Sequence, residues 1–177
     1  MKGEEKIRTA FERAARALRL RDTVGRGTAV TRVRMREGFT CEIEDGRWTL
    51  TVDMSEKGGG DGRGPDPGVM GRSALGSCLA IAYRQWMVQR DVPVSSLEVE
   101  IQADYDARAE YGVTDGSPAY REIRYLVTVE SDAPGEQIMD ALGEAETRCP
   151  FLVMFAEPQR LRREVRIAKP TESAATD

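Results

Sequence analysis

The sequence predicts one α+β domain in which a mostly antiparallel sheet packs against two core helices. Short segments of alternating apolar residues indicate strands, two longer segments show helical periodicity, and their order along the chain is typical of this class. At 177 residues, of which 40% are hydrophobic and 32% charged, the chain is long enough to bury a substantial core.

The first part of the chain predicts an N-terminal helical arm over residues 1–22. Apolar side chains recur at helical spacing through residues 3–20, with charged side chains between them. We expect this arm to pack on the domain or on a partner subunit. The domain itself is predicted over residues 23–168, followed by a disordered tail over 169–177.

A meander of three strands is predicted next, over residues 28–36, 39–44 and 47–54. The dipeptide Asp45-Gly46 is a strong signal for a hairpin turn between the second and third strands. Cys41 falls on the apolar face of the second strand, where a small buried thiol is the default interpretation.

Residues 55–68 are rich in glycine and proline, so they cannot continue a strand or a helix. No Gly-Lys-Ser/Thr follows and no GxGxxG opens the next helix, which argues against a phosphate-binding loop. We expect a mobile loop that arches over part of the molecule, with simple disorder as the alternative. Asp66 as N-cap and Pro67 at the first helical position predict where the next helix begins.

The longest helix is predicted over residues 69–89, and its first half consists mainly of small side chains. Glycine inside a helix costs about 1 kcal/mol relative to alanine. Gly71 and Gly76 therefore predict that another backbone approaches this helix closely.

The remaining elements complete the α+β order. Strands are predicted over 94–106 and 123–129, a second core helix over 133–148, a short apolar turn or helix over 151–155, and a last strand over 161–167.

Composition excludes several classes of function. The chain has no histidine, which rules out Ser-His and Cys-His dyads and histidine-ligated zinc, and the three cysteines lack Cys-x-x-Cys spacing, so we expect no metal and no cofactor. A net charge of −4 gives no indication of nucleic-acid binding. No apolar run is long enough for a membrane span and no apolar signal core is present at the N-terminus, so we expect a cytoplasmic protein without a membrane partner.

The absence of histidine gives weight to thiol chemistry. Cys78 lies inside the long helix, and Cys149 precedes Pro150 at the end of the second core helix. This arrangement suits a nucleophilic thiol with a resolving partner. It also suits two ordinary buried cysteines.

Three segments follow one another along the chain: Gly64-Pro-Asp-Pro67 leading into Ala74-Leu-Gly-Ser-Cys78-Leu-Ala80, then Val92-Pro-Val-Ser-Ser-Leu-Glu-Val, then Ala145-Glu-Thr-Arg-Cys149-Pro150. In this order they resemble the OsmC/Ohr family of osmotically inducible and organic hydroperoxide resistance proteins, and the resemblance covers about residues 28–168.

The resemblance implies an OsmC-like intertwined homodimer whose long central helices are buried against the partner. It also implies a role in stress response, through thiol-dependent reduction of organic hydroperoxides. In that chemistry Cys78 would be the peroxidatic thiol, Cys149 the resolving thiol, and an external dithiol the reductant.

The sequence departs from the family at one position. The resemblance implies that an arginine, held in place by a glutamate, activates the thiolate. In this chain Gly68 stands where that glutamate is expected. Lys57, Arg63 and Arg72 are candidates for the cation, and Asp66 could supply the carboxylate from a different position.

Two alternatives to the peroxidase interpretation stay open. One is a catalytically altered relative that lacks the family glutamate and binds a small lipophilic ligand in an apolar dimer crevice lined by Met70, Trp86, Phe151 and Phe155. The other is an interaction protein whose N-terminal helix docks a partner.

Overall fold

The computed structural model describes residues 2–35 and 37–168. Its helices are α1 (Lys2–Leu20), α2 (Pro67–Gln89), α3 (Ala107–Glu110), α4 (Gly135–Glu146) and α5 (Pro150–Ala156). Its strands are β1 (Arg32–Met35), β2 (Cys41–Asp45), β3 (Trp48–Val52), β4 (Ser96–Asp104) and β5 (Glu122–Glu130). The predicted α+β class, with antiparallel strands and two core helices, is confirmed.

The strands form two separate antiparallel sheets rather than one. The first has the order β1-β2-β3, with Cys41 paired to Met35 on one side and to Val52 on the other. Its hairpin turn lies at the predicted place, where Gly46 adopts a φ of 55°. The second sheet pairs β4 with β5 over nine residues each.

Helix α2 lies at the centre of the core, where it packs against α4, α5 and β4. Its buried residues Leu75, Leu79 and Tyr83 pack with Ala145 and Cys149 from the other side. This arrangement places the middle of α2 beside the end of α4, where the candidate site is formed.

The two glycines of α2 have different surroundings. A β-carbon on Gly76 would lie 3.2 Å from Ile101 Cγ1 on β4, so the close approach predicted there is confirmed. No described atom lies within 4 Å of a β-carbon placed on Gly71, so the same expectation was wrong for Gly71 within this chain.

The N-terminal helix α1 packs on the second half of α2. The Phe11 ring meets Trp86 edge to face, with 5.5 Å between ring centroids. Arg8 donates to Asp91 at 2.7 Å, and Arg84 donates to Glu4 at 2.9 Å. This ring contact and these ion pairs attach α1 to the domain.

The loop between β3 and α2 is folded around one buried carboxylate. Asp53 accepts hydrogen bonds from the Thr40 hydroxyl and from the backbone amides of Met54, Asp61 and Arg63. The sequence predicted a mobile loop over residues 55–68 that arches over part of the molecule. The structure shows instead a tight turn closed on Asp53, with Gly62 N donating to Met54 O at 3.0 Å.

The last strand predicted over residues 161–167 is not a strand in the structure. This segment has no strand beside it among the described residues, and Leu161 and Ile167 are more than nine-tenths exposed. The predicted disorder of 169–177 lies outside the described residues. Among the helices that the structure describes, none combines the length and apolar character needed to cross a membrane.

Candidate active site

The structure brings Cys78 and Cys149 together. Their sulfur atoms lie 3.5 Å apart, with the Cys149 thiol able to donate to Cys78 Sγ. Cys78 is half-buried in the middle of α2, and Cys149 is fully buried at the junction of α4 and α5. Both thiols are free. A disulfide requires about 2.05 Å between the sulfurs, so closure needs only a small local movement.

Local sequence explains the position of Cys149. Helix α4 ends at Glu146, and Pro150 begins α5 at a position that tolerates proline because its missing N–H has no partner within the helix. Cys149 is the extended residue between them and points into the core formed by Leu75, Leu79 and Tyr83. The break between two helices thus presents the thiol to α2.

The environment of Cys149 favours the protonated thiol. Burial raises the pKa of Cys149, the amides of Leu152 and Phe151 act in the opposite direction, and the contact with Cys78 raises the pKa further. A thiol that keeps its proton can donate to a neighbouring thiolate. The arrangement therefore suits Cys149 as the donor and Cys78 as the acceptor.

A buried tyrosine joins the two helices beside the thiols. Tyr83, which is fully buried, donates to Glu146 Oε1 at 2.8 Å. Burial raises the pKa of Tyr83, and the hydrogen bond to Glu146 adds to the effect. Tyr125 on β5 interacts with the same carboxylate. Burial raises the pKa of Tyr125, and the charge of Glu146 and a hydrogen bond with it raise that pKa further.

Sequence reasoning missed Tyr83 and Glu146, although signals for both were present. Tyr83 lies on the apolar face of the same helix as Cys78, and a buried tyrosine hydroxyl requires a partner. Glu146 is three residues before Cys149 in the segment that carries the family resemblance. No pattern in the sequence pairs them, since the contact spans 63 positions.

The candidate thiolate-supporting residues lie in the loop before α2 and in its first turns. The Arg63 side chain pairs with Asp61 at 3.4 Å, and Lys57 is exposed in a short 3₁₀ turn. Asp66 caps α2 as predicted, accepting from the Val69 amide at 2.8 Å. Arg72 donates to the Tyr120 hydroxyl at 3.1 Å. In the described part of this one chain, none of these three contacts involves Cys78.

Trp86 lies at the edge of the thiol site. It packs against the same core cluster as Cys78, and the Arg148 guanidinium carbon lies 5.0 Å from the centre of its ring. Arg148 is the residue before Cys149, so this stacking closes one side of the α4–α5 junction.

An apolar groove of about 850 Å³ runs between α1 and α2. It is lined mainly by Ile7, Phe11, Ala14, Leu18, Ile81 and Leu97. Met70, Trp86, Phe151 and Phe155, the residues expected to line a ligand crevice, are not among its lining residues. The described residues also contain no group of three or more cysteine, aspartate or glutamate side chains placed to hold a metal ion.

Cys41 is separate from the thiol pair in the fold. It lies half-buried on β2 in the first sheet, whereas the contact between sulfurs involves only Cys78 and Cys149.

Comparison with known proteins decides the family. The sequence profile described as OsmC-like protein matches residues 59–162, which is more than half of the chain and includes both cysteines of the pair. The chain belongs to the OsmC-like protein family. No curated protein matches the sequence.

Solved structures agree with this fold at low sequence identity. An OsmC-like protein from Mycoplasma pneumoniae has a TM-score of 0.64 at 15% identity, covering 73% of this chain and 88% of that one. An organic hydroperoxide resistance protein from Elizabethkingia anophelis has a TM-score of 0.54 at 12% identity, covering 73% and 88%. One from Legionella pneumophila has a TM-score of 0.52 at 14% identity, covering 73% and 89%. These similarities confirm an OsmC-like fold.

Proposed function

We propose that this OsmC-like protein reduces organic hydroperoxides, with Cys78 as the attacking thiolate and Cys149 as the resolving thiol. The observation that carries the proposal is the distance of 3.5 Å between the two sulfurs, in a chain without histidine or a metal-binding cluster among its described residues. Membership of the OsmC-like family and the hydroperoxide resistance named for two solved relatives support it.

The reaction divides into three steps. The Cys78 thiolate attacks the outer peroxide oxygen, the O–O bond breaks, and the leaving alkoxide takes a proton to become an alcohol. Cys149 then attacks the Cys78 sulfenic acid, forming the disulfide and releasing its hydroxyl, with the Cys149 proton, as water. An external dithiol reduces the disulfide and is itself oxidised, which restores both thiols.

Burial divides these roles between the two cysteines. Cys78 is partly exposed and can meet a peroxide, whereas Cys149 is fully buried in the core and contacts the Cys78 sulfur. Cys78 packs against the apolar cluster that contains Leu75 and Leu79, and such an apolar environment favours a substrate with an organic substituent over hydrogen peroxide.

We also propose that the chain functions as a homodimer. The face of the first sheet that carries Val33 and Leu50 is open to solvent, and Ile81, which lines the groove between α1 and α2, is 67% exposed. Open apolar surface of this kind is typical of protein interfaces. Light scattering on the wild type and on Ile81→Glu tests this proposal: we expect a dimer and a monomer respectively, and a monomeric wild type would contradict it.

The peroxidase proposal is tested by intact-mass and peptide analysis of the reduced protein. After one equivalent of cumene hydroperoxide, we expect loss of two hydrogens and a Cys78–Cys149 crosslink, with slower oxidation by hydrogen peroxide. Cys149→Ser should stop at a Cys78 sulfenic acid that dimedone traps. Cys41→Ser is the matched control and should react like the wild type. The proposal fails if both thiols stay reduced, or oxidise no faster than Cys41.

A second candidate function is binding of a small lipophilic ligand without peroxide chemistry. Gly68 in place of the family glutamate favours it, because the thiolate then lacks part of its expected support. The groove between α1 and α2 offers apolar volume for such a ligand. Fluorescence titration of Cys78→Ser with a fluorescent fatty acid separates the two functions, since tight binding that does not need the thiol supports the second.

A further inference from the structure

Glu146 is a carboxylate held among uncharged groups beside the thiol pair. Tyr83 from α2 donates to it, Tyr125 from β5 faces it, and Cys149 follows it by three residues. The packed positions of β4 contribute only Leu97, Val99 and Ile101, and α5 contains no charged side chain.

The nearby arginines do not neutralise this carboxylate. Arg148 pairs with Glu144 at 2.8 Å and Arg90 approaches the same Glu144 at 3.6 Å. Among the described residues, no lysine or arginine forms an ion pair with Glu146. Its negative charge therefore acts on the two tyrosines beside it, where it raises the pKa of both.

We propose that Glu146 and Tyr83 are positioning residues for the thiol pair: their hydrogen bond fixes the α4–α5 junction against α2 and so holds Cys149 within reach of Cys78. This inference rests on the proposed function for its purpose, since attack by Cys78 and resolution by Cys149 require the two sulfurs to stay close together.

Geometry supports the inference. Tyr83 is five residues from Cys78 on one helix, and Glu146 is three residues from Cys149, so their hydrogen bond bridges the same two segments as the thiol contact. A change of about 1 Å in such an arrangement is enough to slow a reaction substantially.

The role of the carboxylate is tested with Glu146→Gln, which keeps the length of the side chain and replaces a charged acceptor for the Tyr83 hydroxyl with a weaker neutral one. We expect the thiol oxidant diamide to close the Cys78–Cys149 disulfide more slowly in this variant than in the wild type. Glu144→Gln is the matched control, because it removes a carboxylate from the same helix that pairs with arginines instead. Equal effects of the two variants, or none, would overturn the assignment.

The positioning effect is tested with Tyr83→Phe, which keeps the ring and removes only the hydroxyl. We expect disulfide closure by diamide, a general thiol oxidant, to slow by roughly tenfold, with a sulfenic acid that persists longer after hydroperoxide. Unchanged closure would refute the role of the hydrogen bond. If the wild type does not react with hydroperoxides but Tyr83→Phe and Glu146→Gln both slow disulfide closure by diamide, the inference stands and the peroxidase proposal fails.

Discussion

A β-carbon placed on Gly68 would lie 3.1 Å from Arg72 Nη1 and 3.4 Å from the Tyr120 hydroxyl. The position at which the family glutamate is expected therefore faces a guanidinium, and Tyr120 accepts the hydrogen bond from that guanidinium. In this chain the uncharged Tyr120 hydroxyl is the partner of Arg72, at the place where the carboxylate of the family glutamate would pair with an arginine.

We expect Gly68→Glu to stabilise the protein. Glutamate in the first turn of α2 interacts favourably with the helix dipole, can pair with Arg72, and removes the conformational freedom of glycine. Together these effects should raise Tm by roughly 3 °C, measured by circular dichroism at low salt. Gly68→Gln, which has the same length without the charge, should give a smaller increase. If both variants lower Tm, crowding against Asp66 Oδ1, at 3.0 Å from the added carbon, outweighs these gains.

Local patterns were sufficient to predict helices α1, α2, α4 and α5 and the hairpin meander, although α3 lies in a segment for which no helix was predicted. The Asp66 cap, the Asp45-Gly46 turn and the alternation through β3 are each encoded within a few residues. The pairing of Cys78 with Cys149 was different, since their contact spans 71 positions and came from the family resemblance. The hydrogen bond between Tyr83 and Glu146 is equally remote and had no such guide.

Asp53 shows a further limit of the sequence pattern. It directly follows β3, and an aspartate is ordinarily exposed, but the structure buries it completely. Its partners come from amides of a glycine-rich loop, and backbone donors carry no sequence signature. Only the folded loop reveals why the carboxylate is there.

We expect Asp53→Asn to loosen the loop between β3 and α2. An amide replaces one acceptor oxygen with a donor, which would face the Thr40 hydroxyl and the backbone amides that now donate to the carboxylate. Tm should fall by roughly 5 °C, and limited proteolysis should cut within residues 55–64. Asp61→Asn is the control, because that side chain is exposed in the same loop. Resistance of Asp53→Asn to both assays would contradict this role.

The same carboxylate predicts a pH dependence. Burial acts to raise the pKa of Asp53. Hydrogen bonds from the backbone amides of Arg63, Met54 and Asp61 and from the Thr40 hydroxyl outweigh this effect and hold the pKa below the ordinary value of 3.8. Since the folded pKa is the lower one, the stabilisation is present above pH 4 and is lost as the pH falls through the folded value. Urea unfolding between pH 5 and pH 2.5 should therefore show a steeper loss of stability for the wild type than for Asp53→Asn. Parallel curves would refute the assignment.

The N-terminal arm gives a separate prediction. Phe11→Ala removes the ring that meets Trp86, and should lower the free energy of unfolding by about 2 kcal/mol. In a Trp48→Phe background, which leaves Trp86 as the only tryptophan, the emission should shift to the red as Trp86 becomes hydrated. Glu12→Ala, an exposed change on the same helix, should do neither. An unshifted emission in Phe11→Ala would show that α1 does not cover Trp86 in solution.

The two glycines of α2 allow a matched test of how closely the helix is approached. Gly71→Ala meets no described atom and should stabilise the protein by about 1 kcal/mol, the usual gain of alanine over glycine inside a helix. Gly76→Ala gains the same helix propensity, but its added methyl would lie 3.2 Å from Ile101 Cγ1 and would push β4 away from α2. Because this crowding costs more than the propensity gains, we expect a net loss of stability. Chemical denaturation of both variants measures the difference. A loss for Gly71→Ala as well, accompanied by dissociation in light scattering, would place a second copy of the chain against the first half of α2. Equal gains for both would mean that β4 moves away from α2 without cost.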